Sequence, residues 1–306
     1  MTTRTAIPGS DSRTRLRHPG PEAADRSTAR ACDAVPAQFL LTSDLDLLAA
    51  LTSEMDRLAA DHAAETAVID LSGLRLQEVV YVIPAGARDE RHAAWYSDTY
   101  VSPPAVLECA TVTVGRRDGQ WFAHCHALWT EPDGTPRMGH LLCDKCLVAE
   151  NASATGHVLR GALLEVATDP ETNFPLFHAR DGAELTCATT AALVTVRPHE
   201  DLCTALEAVA GELGARDARL IGLGSLIGAD FSDAPAMPSP ISEVLLAPGA
   251  QIAEGRCPAL PVICVDPEQD VWRGSLVHGG GPVCVTFELL MLFDRWTDDE
   301  GGDHGK

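Results

Sequence analysis

The sequence predicts an α/β fold of the α+β kind, repeated in degenerate form along one chain. Two observations carry that prediction. A helix-periodic segment, a strand, a glycine-rich turn and further strands run from about residue 43 to residue 166. The same order returns from residue 202 to residue 293, and both series close on strands mixing glutamate with aliphatics. The 306 residues are enough for two domains of ordinary size.

Residues 1–36, rich in Thr, Arg, Pro, Ser and Ala, are expected to form a flexible arm. Residues 43–62 read as an amphipathic helix, with Ser43 as N-cap and Leu45, Leu47, Leu48, Leu51, Met55 and Leu58 near helical spacing. Ala67–Gly73 and Gln77–Pro84 read as strands. Residues 85–104, polar but carrying Trp95, Tyr96 and Tyr100, read as a long loop that either covers a pocket or packs on its own domain. Strands follow at Ala105–Val114, 121–130, 136–142 and Val158–Val166, and a Pro-bounded loop, Asp169–Pro175, closes the first domain. In the second, Thr189–Val196 is a strand and Leu202–Leu213 a helix. Ala218–Leu223 is a strand running into Gly224-Ser225. Further strands are placed at 241–247, 259–265, 273–277 and Val283–Phe293, the last being the strongest strand signal in the chain. Residues 294–306 read as an acidic disordered tail.

The functional signal lies in the hairpin of residues 121–142. Glu131-Pro132-Asp133-Gly134 suits a type I turn closed by a left-handed glycine, which makes a three-residue loop with a bulge. That loop sets His126 opposite His140, and His124 shares their face by strand alternation. A two-residue loop at Asp133-Gly134 would instead pair His140 with Ala127 and turn it away. Three imidazoles on one face with no fourth ligand match an open metal site, of zinc or another divalent transition metal. The plain alternative is three ordinary polar residues of a hairpin.

Composition bounds the function. The formal net charge is −21, from 44 acidic and 23 basic side chains, which argues against phosphate-backbone binding and an anionic membrane surface. Hydrophobic residues are 45% and aromatics 5%, so the core must rest on Ala, Val and Leu. No apolar run reaches spanning length and no signal peptide is evident. The ten cysteines are too dispersed for a secreted disulfide scaffold and read as reduced thiols in a cytoplasmic protein.

Two groups of residues together resemble the PPC (plants and prokaryotes conserved) domain family. One is His124-x-His126, the Asp-Gly turn and Gly139-His140-Leu141. The other is Arg197-Pro198-x-Glu200-Asp201-Leu202, Gly222-x-Gly224-Ser225 and Phe287-Glu288-Leu289-Leu290. The resemblance implies two tandem domains, 37–182 and 187–293, each a mostly antiparallel sheet with flanking helices, in a chain that self-associates. It implies a metal, generally zinc, on His124, His126 and His140. The chain departs from the family in two ways. No Arg-Gly-Arg-Pro hook for the minor groove occurs. The second copy has Pro261–Asp266 and Ser275 where the histidines would stand, so it reads as scaffold without a metal site.

Other constellations carry less. Cys143-Asp144-Lys145-Cys146 reads as a redox pair, as soft ligands joining His140, or, as preferred, as structural. Cys125 should face away from its flanking histidines, into the core. Gly222–Gly228 lacks the third glycine and the helix of a dinucleotide fingerprint. His278-Gly279-Gly280-Gly281 lacks the Gly-x-Ser-x-Gly that a lipase oxyanion loop accompanies, and reads as a turn. Glu150 and Arg137 are the candidate catalytic groups beside the metal, Glu150 as general base or acid and Arg137 as an anion clamp. Met138, Glu108, Glu171 and Asn173 are further candidates for the surroundings of the site.

The sequence therefore predicts a zinc-dependent enzyme acting on a small carbonyl- or carboxylate-bearing metabolite by hydrolysis, hydration or lyase chemistry. Its alternative is a non-enzymatic regulatory or DNA-associated protein with structural zinc.

Overall fold

The computed structural model describes residues 16–185 and 187–294. Its first half contains β1 (Ser27–Leu41), α1 (Leu47–His62), β2 (Thr66–Asp70), β3 (Arg75–Leu76), β4 (Val79–Val82), β5 (Pro84–Gly86), β6 (Ala94–Tyr96), β7 (Tyr100–Ser102), β8 (Ala105–Arg117), β9 (Gln120–Thr130), β10 (Pro136–Leu141), β11 (Ala152–Arg160), β12 (Ala162–Thr168) and β13 (Pro175–Asp181). Its second half contains β14 (Ala191–Val196), α2 (Leu202–Leu213), β15 (Ala218–Leu226), β16 (Ser242–Leu246), β17 (Gln251–Ile252), β18 (Leu260–Val265), β19 (Val271–Leu276) and β20 (Val283–Phe293).

Pairing is antiparallel throughout, apart from a single parallel register between β8 and β12. In the first half the strands lie in the order β1-β11-β2-β8-β9-β10. In the second they lie in the order β14-β20-β15-β16-β18-β19. The two orders correspond strand for strand. In each, the strand that precedes the helix pairs with the last of the series, and the strand that follows the helix pairs with that same last strand.

The helices obey local chemistry. Asp201 caps α2 by accepting from the Thr204 amide, and Gly214 ends it in the left-handed conformation. At α1 the cap is Asp46, whose Oδ1 accepts from the Ala49 amide at 2.8 Å, and not Ser43. Asp44 adopts φ 61°, which keeps the preceding residues out of the helix.

Residues 27–36, expected in a flexible arm, are the first ten residues of β1. Ser27–Cys32 pair with β14 and Asp33–Leu41 pair with β11, so one strand is shared by both halves. Arg26 upstream of it reaches Glu171 Oε2 at 2.8 Å and Glu200 Oε1 at 3.2 Å. Residues 1–15, and the tail beyond 294, lie outside the described residues. Residues 85–104 contain the short β5, β6 and β7, not one continuous loop.

The faces of β9 divide the molecule. Cys125 and Ala127 belong to a core with Leu47, Leu51 and Met55 of α1. That core also takes Leu223, Leu245, Ile263 and Val265 from the second half, so apolar burial joins the halves. The opposite face of β9 carries His124 and His126 toward β16 and β20.

Candidate metal centre

The hairpin folds as its turn residues require. Gly134 takes φ 88°, its amide donates to the Glu131 carbonyl at 2.9 Å, and the Glu131 amide donates to the Thr135 carbonyl at 2.9 Å. Pro136 is then in register with Thr130 and His140 with His126. The ring centroids of His124 and His140 are 4.7 Å apart and those of His126 and His140 5.5 Å. One nitrogen from each of the three histidines lies within 4.8 Å of the others.

Groups of the second half hold two of these rings. His126 is fully buried, and its Nδ1 donates to the Val244 carbonyl on β16 at 2.8 Å. Nδ1 of His124 meets Oε1 of Glu288 on β20, while Thr113 Oγ1 donates to Oε2 of the same carboxyl at 3.1 Å. With both outer nitrogens so engaged, the inner Nε2 atoms of His124 and His126 face one another at 3.1 Å. Oε2 of Glu243 stands 3.0 Å from that His126 Nε2. His140 keeps a buried Nδ1 with no hydrogen-bond partner among the described residues.

Electrostatics follow from this enclosure. Burial, and then the neighbouring His126, pushes His124 down to about 3. Burial and the other two rings hold His140 well below an ordinary imidazole. At His126 burial acts in the same direction, but the Glu243 carboxylate outweighs it and raises the ring. Burial pushes the Glu288 carboxyl up to about 8 against the opposing influence of Thr113 and His126.

Two imidazole nitrogens this close, backed by a carboxylate, need a proton or a cation between them. The donor set and the orphaned His140 nitrogen fit a divalent transition metal, with outer partners that fix ring orientation. The second half, expected to be scaffold only, thus supplies Glu243, Glu288 and the Val244 carbonyl to the cluster.

His124 and His140 line a cavity of about 200 Å³, and His126 is buried behind them. Trp95, Tyr96, Phe122, Phe174 and Phe177 form much of its wall. The segment 85–104 therefore covers the pocket with two of its aromatics.

Glu150 and Arg137, expected beside the metal, are not among the residues lining that cavity. Glu150 is exposed and 3.6 Å from Arg75, and Arg137 pairs with Glu131 at 3.1 Å and Gln269 at 3.2 Å. Arg137 lies on the strand carrying His140 but is one residue out of phase with its face. Met138 is buried in the apolar core that spans both halves, and exposed Glu108 lines a separate groove. Glu171 is bound by Arg26, and Asn173 donates to the Arg91 carbonyl, so their loop reaches the cavity through Phe174 and Pro175. Cys146 donates to the Val80 carbonyl at 3.3 Å inside the core, and Cys143 is buried there with it. Neither joins the histidines, and Cys125 sits in the core as its strand parity requires.

Sequence reasoning did not reach Glu243, Glu288, Thr113 or the Val244 carbonyl. Glu288 stands within the Phe-Glu-Leu-Leu motif, which gives its residue type but not its destination.

No family model matches the chain, and a search of curated proteins gives no match. Among solved structures, the chain is similar to a plant- and prokaryote-conserved (PPC) protein of Pyrococcus horikoshii at 18% identity and TM-score 0.35, over 51% of this chain and 96% of that one. It is similar to a metal-containing protein of Archaeoglobus fulgidus at 18% identity and TM-score 0.33, over 49% and 96%. A provisionally named DNA-binding protein of Ralstonia eutropha JMP134 is similar at 17% identity and TM-score 0.32, over 47% and 89%.

Proposed function

We propose that this protein is a metal-dependent enzyme of small-molecule chemistry, built from two PPC-like copies. In this reading His124, His126 and His140 hold zinc or another divalent transition metal. The observation that carries it is the pair of Nε2 atoms 3.1 Å apart, their outer nitrogens already committed, beside a largely aromatic cavity that His124 and His140 line. The metal would supply Lewis acidity toward a carbonyl or a bound water, the basis of hydrolysis, hydration or lyase chemistry. Glu288 and Val244 orient the two rings, Glu243 is placed to take or return a proton at the cluster, and the aromatic walls exclude water. Self-association and a cytoplasmic setting belong to the same proposal. Among the described residues no helix is long and apolar enough to cross a membrane.

Metal analysis of purified protein tests this directly. The wild-type chain should carry about one equivalent of metal, in line with a single three-histidine site. His124→Ala and His140→Ala should both lose it. Unchanged metal content in both variants would sink the proposal.

A second reading is a regulatory, DNA-associated protein in which the metal is structural. It draws on Glu243, whose carboxylate is near enough to His126 to close the fourth position. The net charge of −21 opposes it. Gel shifts at physiological salt decide between the two. Tight, salt-sensitive duplex binding that disappears on removal of residues 1–15 would favour the regulator.

A further inference from the structure

The cavity has a chemical direction. His124, His140, Glu243 and Glu288 gather on one side of it, and most of the remaining wall is aromatic or aliphatic, with the hydroxyls of Ser225, Ser242 and Thr286 set into it. The aromatic groups come from separate segments and brace one another. Trp95 of β6 lies 5.0 Å from Phe174 of the loop before β13, and Phe122 of β9 lies 5.6 Å from Phe177 of β13. Rings assembled around a void forgo the dispersion contacts that closing it would give. Such a space is maintained where something else fills it.

Few polar groups in it are free. Ser225 accepts from the Val285 amide at 2.9 Å and donates to the Thr286 carbonyl. Tyr96 differs: its ring is 5.1 Å from that of His140, and its hydroxyl has no hydrogen-bond partner among the described residues. Arg117 lines the rim, exposed, with its guanidinium 5.4 Å from the Phe122 ring. In a chain of charge −21, a cation at the rim is a local attractor for anions.

We infer that the cavity takes a one-ring aromatic carboxylic or keto acid, its oxygen-bearing head at the histidines and the Tyr96 hydroxyl and its ring between Trp95, Phe122 and Phe174. The volume, about 200 Å³, is below the roughly 300 Å³ at which pockets for drug-sized ligands begin, which fits a one-ring ligand better than a nucleotide. A sugar would leave most of its hydroxyls unpaired against these walls. This inference rests on the metal reading above and goes beyond it in naming the ligand.

The test uses the full chain loaded with cobalt and two chelating probes of the same head group, benzohydroxamate and acetohydroxamate. Binding is followed by titration calorimetry and by the visible cobalt spectrum. Both probes should perturb the spectrum, and benzohydroxamate should bind about tenfold or more tighter because its ring is buried. Phe174→Ala and Trp95→Ala should each remove most of that advantage and leave acetohydroxamate unchanged. Tyr96→Phe, which keeps the ring and its packing, should weaken both probes. Equal affinity for the two probes would overturn the inference while leaving the metal reading intact. A chain that binds no cobalt would overturn the metal reading, and this inference with it.

Discussion

Nδ1 of His124 meets the Glu288 carboxyl, a group delivered by the other half of the chain. The contact divides labour across the molecule: one half presents the nitrogens that would face a cation, and the other fixes their direction. Outer partners of this kind typically change metal affinity by about 10–100-fold when removed. Glu288→Gln should therefore weaken zinc binding by about tenfold and Glu288→Ala by more, at unchanged stoichiometry. Competition against a chromophoric chelator measures it, and unaltered affinity in both variants would show that Glu288 does not support the site.

Gly139 stands between Met138 and His140 where β10 passes closest to β4. A Cβ there would fall 2.6 Å from Cδ2 of Tyr81 and 2.7 Å from the Val82 carbonyl oxygen. Gly139→Ala should cost about 1–3 kcal/mol, the usual range for overpacking. It should also move His140 and lower metal occupancy. Urea unfolding together with metal analysis separates the two effects.

Gly134 holds the turn that sets the histidine register, at φ 88°. Open space surrounds it, so the cost of a side chain there is conformational and not steric. Gly134→Val should destabilise by about 1–3 kcal/mol, the range for a β-branched residue forced into a left-handed conformation. Thermal melting of metal-free protein reads this without interference from the site.

Buried Asp169 and half-buried Arg197 pair at 2.6 Å, with the Asp169 carboxylate also accepting from the Glu171 and Thr172 amides. Burial alone would raise the Asp169 carboxyl, but Arg197 and the Thr172 amide outweigh it and hold the group below its ordinary value of 3.8. The stabilisation is therefore complete above the unfolded-state value and is lost as pH falls through the lower folded one. Asp169→Asn should cost about 3 kcal/mol at neutral pH, the lower end for a broken buried pair because Arg197 keeps some contact with solvent. Its stability should fall less steeply than that of wild type in the acid range. Parallel acid slopes in the two proteins would refute the assignment.

What the sequence made legible was local. The turn at Glu131–Gly134 fixes the pairing of His126 with His140 because a hairpin loop of known length leaves one register. α2 and β20 fall at their expected bounds because a cap, a left-handed glycine and a long aliphatic run mark them. Less local features were hidden. Ser27–Pro36 alternates only in short pieces, Thr28–Ala31 and then Cys32–Ala34 in the other phase, and its partners in β14 and β11 impose the extended conformation from outside. Glu243 and Glu288 reach the histidines only because two sheets meet, and no spacing along the chain encodes that meeting. Arg137 and Glu150 illustrate the converse, being near the histidines in sequence and turned elsewhere in space.

The sharing of β1 has a kinetic consequence. β1 is made before the segments with which it pairs residue for residue, Ser27 with Val196 and Leu41 with Ala152. Its backbone amides and carbonyls must wait through most of synthesis for those partners, and contacts of such separation close slowly. Until β14 emerges, the nascent chain carries an unsatisfied edge of the kind that invites aggregation. A holdase would cover that edge, and rapid synthesis up to residue 196 would shorten its exposure.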